Sequence, residues 1–168
     1  MNGWAKVQYS IAAASTLGFV AVGVHGFRVA ADLDLFALHT QLALFVTLAL
    51  VLGQAWMALF ALASERRLRA LLPADDPARR ALARVRARVT GVASVALGAT
   101  LVHFAVAGRL FASHAPDWIH GALALAALVA QCVALATEAV ELTRHRRLVS
   151  GLGETPANAR RVLDSARS

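Results

Sequence analysis

The chain has 168 residues, is 58% hydrophobic and only 16% charged, and carries a formal net charge of +7. That balance excludes an ordinary soluble domain, which would hold more charge and fewer long apolar runs. A single cysteine, Cys132, excludes an intrachain disulfide and any thiol-pair or zinc–cysteine site.

Four apolar runs follow in chain order, over residues 7–27, 42–63, 89–108 and 118–137. Crossing the hydrocarbon takes ~20 apolar residues in a helix. Short alternating strands of the barrel type are not visible. The sequence therefore predicts an all-α fold, a four-helix transmembrane bundle over residues 1–150, because helices satisfy their own backbone hydrogen bonds in lipid.

The first run follows Lys6 and is longer than a signal-peptide core, so it reads as an uncleaved span. It carries His25 and ends at Arg28. The connection to the second run holds Arg28, Asp32 and Asp34, and His39 stands at its far end. Gln54 and Trp56 lie within the second run.

The central connection, residues 64–88, holds eight arginines: Arg66, Arg67, Arg69, Arg79, Arg80, Arg84, Arg86 and Arg88. Asp76 followed by Pro77 reads as an N-cap and a first helical position, so the third helix should begin in water. Arg80, Arg84 and Arg88 would then share one face, a candidate contact for anionic lipid or an acidic partner. The third run contains His103 and ends near Arg109. His114 lies in the short connection after it, and His120 opens the fourth run.

The tail, residues 151–168, continues the basic character with Arg160, Arg161 and Arg167. It is expected to be cytoplasmic, either disordered or a short helix opened by Thr155 and Pro156. The excess of arginine in the central connection and tail places these, and both termini, in the cytoplasm. The expected location is a bacterial inner membrane. The net positive charge is thus an orienting device, and nucleic acid is not an expected partner.

At one constant offset Arg28 aligns with Arg109, His39 with His120 and Arg66 with Arg147. This raises the reading of two repeated hairpins related by an axis along the membrane normal.

His25, His39, His103 and His120 all fall at the outer ends of their runs, one per helix. As single residues most read as interfacial; His103 lies within an apolar run, where an ionisable side chain is functional by default. Two of the four are candidate axial ligands of a b-type haem, with Arg28 and Arg109 placed for its propionates. A quinone site is the related reading. Three or four of them binding a metal ion is a third, though no short-range ligand spacing supports it. Gln54, Gln131 and Thr100 read as interhelical hydrogen-bond partners, and Glu138 and Glu141 as groups at the inner interface. Cys132 reads as packing.

No phosphate loop, nucleophile elbow, CxxC motif or paired carboxylates within a membrane span appear, so a free-standing enzyme is not expected. In span count and histidine placement the chain is similar to four-helix cytochrome b-type membrane anchors, a resemblance resting on those two features. The expectation is an integral membrane subunit of a multisubunit redox complex. The alternatives are a cofactor-free adaptor and a small, oligomeric channel or transporter lined by Gln54, Gln131 and His103. Lipid and other subunits are the expected partners.

Overall fold

The computed structural model describes residues 3–29, 35–113 and 117–153. They form four helices: α1 (Gly3–Val29), α2 (Phe36–Leu71), α3 (Pro77–Ser113) and α4 (Asp117–Gly153). No strand occurs among the described residues. All four helices are long and apolar enough to cross a membrane.

The helices run up, down, up, down. Each packs on its chain neighbour, and α1 also packs on α4, which closes the ring. Helices α2 and α4 are therefore parallel and face each other across the bundle axis, as do α1 and α3. This is the arrangement that a duplicated hairpin produces.

Helices α2, α3 and α4 outrun the apolar stretches that announced them. They hold 36, 37 and 37 residues. At ~1.5 Å per residue that is roughly 55 Å each, against a hydrocarbon core of ~30 Å. Most of the surplus lies at the arginine-bearing end. Arginine is a good helix former, so charge ended the apolar windows without ending the helices. Between α2 and α3 the chain turns over residues 72–76. There the Ala78 amide donates to Asp76 Oδ1 at 2.7 Å and the Arg79 amide to the Asp76 carbonyl at 3.0 Å. Asp76 is thus the cap and Pro77 the first residue of α3, as their order in the sequence predicts.

Many of the large apolar side chains face outward, although Leu50, Met57 and Leu82 are buried. Phe45, Leu17, Leu52, Val95 and Trp118 are each more than two-thirds exposed. The interior holds small residues, among them Ala12, Ala93, Ala96, Ala127 and Ala134, together with Thr47, Gln54, Thr100, Gln131 and Glu138. In water this arrangement would forfeit the hydrophobic driving force. In lipid it is what packing requires, because small residues let backbones approach and polar groups find one another inside. The chain is a multi-pass membrane protein. Cys132, read from sequence as a packing group, instead faces outward, as does Trp56 of the second run. The tail beyond Gly153, with Thr155 and Arg160, Arg161 and Arg167, lies outside the described residues, as does His114.

Candidate functional site

Polar groups occupy the bundle interior in three tiers. The first stands at the end opposite the arginines. His25 reaches in from the last turns of α1 and His39 from the first turn of α2. Their rings stack with centroids 5.7 Å apart and planes within 4°. His103 of α3 and His120 of α4 form the second pair, with centroids 5.0 Å apart and planes tilted by 32°. His39 lies within electrostatic range of His25 and His120, and His103 within range of His120 and His39. All four helices therefore deliver one imidazole to one cluster.

The apolar wall of the cluster includes Phe19, whose ring meets His103 edge-on at 5.5 Å. Small residues allow the helices to close here. A Cβ at Gly26 would stand 3.1 Å from the His39 ring, and one at Gly18 would stand 3.2 Å from Val46. So Gly18 serves helix packing, whereas the corresponding position at Gly98 meets nothing within 4 Å.

Several ring nitrogens of the cluster are buried and lack hydrogen-bond partners among the described residues: His25 Nδ1, His39 Nδ1, and both nitrogens of His103. An imidazole has one donor and one acceptor to satisfy when neutral, and leaving either unmet inside a protein costs ~1–3 kcal/mol. His103 is the extreme case. Its sequence position singled it out, and its surroundings do so again.

Among the described residues no three His, Cys, Asp or Glu side chains are grouped so as to hold a metal ion. Arg28 and Arg109 lie in the final turns of α1 and α3, at the histidine end; their side chains lie outside the described residues.

The second tier is a hydrogen-bonded chain near mid-bundle. Gln54 Nε2 donates to Gln131 Oε1 at 3.0 Å, from α2 to α4 across the axis. Gln131 Nε2 donates to Thr100 Oγ1 at 2.9 Å, and Thr100 donates to the Ala96 carbonyl at 2.9 Å. Three helices are tied in one network, with Gln54 Oε1 left over.

The third tier lies toward the arginine end. Glu138 is fully buried and neither carboxyl oxygen has a hydrogen-bond partner among the described residues. Its sequence position suggested the interface; the length of α4 and its packing put it inside. Beyond it Glu65 meets Arg86 at 2.6 Å, joining α2 to α3. Glu141 meets Arg88 at 2.8 Å and Arg144 at 2.9 Å, joining α3 to α4.

The tiers share a pattern. Gln54 and Gln131 are separated by 77 positions. Nearly the same spacing carries His25 to His103 and Glu65 to Glu141, and a slightly larger one His39 to His120. Each pair sits on equivalent helices of the two hairpins. Searching the sequence for like polar residues at one near-constant offset would have found the Gln pair and the Glu pair alongside the histidines.

Compared with known proteins, the chain matches no protein-family model, no curated protein and no solved structure.

Proposed function

We propose that this chain is the integral membrane subunit of a redox complex and that the four-histidine cluster is its cofactor site. The observation that carries the reading is the convergence of one imidazole from every helix, with buried ring nitrogens unpartnered at His25, His39 and His103. The cluster takes a b-type haem or the headgroup of a quinone.

The two cofactors make different demands. His25 and His39 lie face to face with their rings stacked on each other. A haem would therefore use His103 with one member of that pair, not the pair itself, and Arg28 and Arg109 sit on helix ends placed for its propionates. A quinone needs only a ring N–H aimed at its carbonyl oxygen, for which His103 or His120 suffices. The cluster lies on the outer side of a bacterial inner membrane, with the arginine-bearing end and both termini cytoplasmic.

Visible absorption of the purified chain tests this. A haem gives a sharp reduced-minus-oxidised difference that His103→Ala abolishes. A colourless chain that binds a short-chain quinone in a His103-dependent manner supports the quinone form. A colourless chain indifferent to quinone overturns the redox reading and leaves a cofactor-free adaptor.

One observation favours a second reading, a transport path. Glu138 is buried with no hydrogen-bond partner among the described residues, and an acidic side chain inside a bundle marks a functional position by default. With the Gln54–Gln131–Thr100 chain above it, the axis carries polar groups along most of its length. Proton or solute uptake by the isolated chain in liposomes, lost in Glu138→Leu, is the result this reading requires.

A further inference from the structure

Where the apolar surface of α3 and α4 gives way to arginine, the two helices enclose a groove with a volume of about 380 Å³. Its walls are Arg84 and Arg88 from α3 and Arg144 and Arg147 from α4; its floor includes Val85 and Leu148. One carboxylate, Glu141, faces these four guanidiniums, and it is bonded to Arg88 and Arg144. The guanidinium groups of Arg84 and Arg147 have no ion-pair or hydrogen-bond partner among the described residues; Arg147 is bonded only through its carbonyl, which accepts from Ser150.

We propose that this groove binds the headgroup phosphate of an anionic phospholipid. The charge is unbalanced, four cations to one anion, so the occupant is an anion. Guanidinium matches phosphate oxygens in a bidentate fashion. Glu141 holds two of the four guanidiniums in place, so the site is partly ordered before anything binds. The floor is apolar and the groove opens at the level where α3 enters its apolar run at Val89. An anion seated there has its hydrophobic portion alongside the exposed Val140 and Val95 surface of the same helices. A diacyl lipid satisfies both demands at once; basic pockets between membrane helices take such headgroups. This site is at the opposite end from the histidines and stands whether or not the redox reading does.

The test is lipid retention by the purified full chain in native mass spectrometry, with phosphatidylglycerol or phosphatidylcholine added to the detergent. The wild-type chain is expected to prefer phosphatidylglycerol. The variant Arg84→Gln/Arg147→Gln, which removes no described contact, is expected to lose about tenfold or more of that preference. Arg66→Gln/Arg67→Gln, equal in charge but on exposed α2 positions, is expected to keep it. An unchanged preference in the groove variant overturns the proposal. So does an equal loss in the control, which would mean general attraction to basic surface. Millimolar inorganic phosphate is the third arm: if it displaces phosphatidylglycerol completely, the occupant is a soluble phosphate compound and the lipid assignment fails.

Discussion

Gln54 and Gln131 show how single residues hold this bundle. In lipid the separated helices gain little from burying apolar surface, so one well-made polar contact matters. Their amides meet at 3.0 Å across the axis, and Gln131 passes the bond on to Thr100. Gln54→Leu and Gln131→Leu should each destabilise the protein, since each strands a buried amide. The double variant should lose less than the sum, with a coupling of ~0.5–2 kcal/mol. Detergent-titrated unfolding of the four species measures it; additive losses would show that the two amides do not meet. His103 behaves differently at the same scale. Its ring nitrogens have no hydrogen-bond partner among the described residues and its ring meets Phe19 and His120, which is why the proposed cofactor site is centred on it.

At the scale of elements, the starts of helices were easier to read than their ends. Asp76 and Pro77 announce α3 because capping is local chemistry, written in adjacent residues. Asp76→Ala should cost about 1 kcal/mol, seen as a lower melting temperature with faster amide exchange at Ala78 and Arg79. Unchanged exchange there would mean the cap does not form in solution. The extension of α2, α3 and α4 beyond their apolar runs was not legible from hydropathy, because arginine ends a membrane window while favouring the helix. The same blind spot hid Glu138: counting ~20 residues from Trp118 puts it at the surface, and only packing against the other helices puts it inside. One histidine per helix was plain in the sequence. That the rings pair as His25–His39 and His103–His120 was not, since contact between helices depends on rotation about their axes. The arginine groove was half legible: Arg84 and Arg88 share a face of α3, but the facing Arg144 and Arg147 come from packing alone.

At the scale of the whole molecule, like polar residues recur at near-constant spacing in the two hairpins and fall at three depths, and Gln54 and Gln131 meet across the axis. The result is a bundle with chemically different ends, a four-imidazole cluster at one and most of the guanidiniums at the other. The four-span architecture followed directly from length and hydropathy. The proposed orientation, arginine-bearing end inward, rests on where arginine is concentrated. Everything assigned to the ends depends on that polarity: a redox site at the outer surface and a lipid site at the inner one.

The most direct test is thiol labelling in spheroplasts. Cys132→Ala provides a cysteine-free chain. In that background Ala37→Cys marks the histidine end, and Ala74→Cys marks the turn between α2 and α3. An impermeant maleimide should label position 37 in intact spheroplasts, and position 74 only after the membrane is opened. Labelling of position 74 from outside would invert the bundle and contradict the account of both ends.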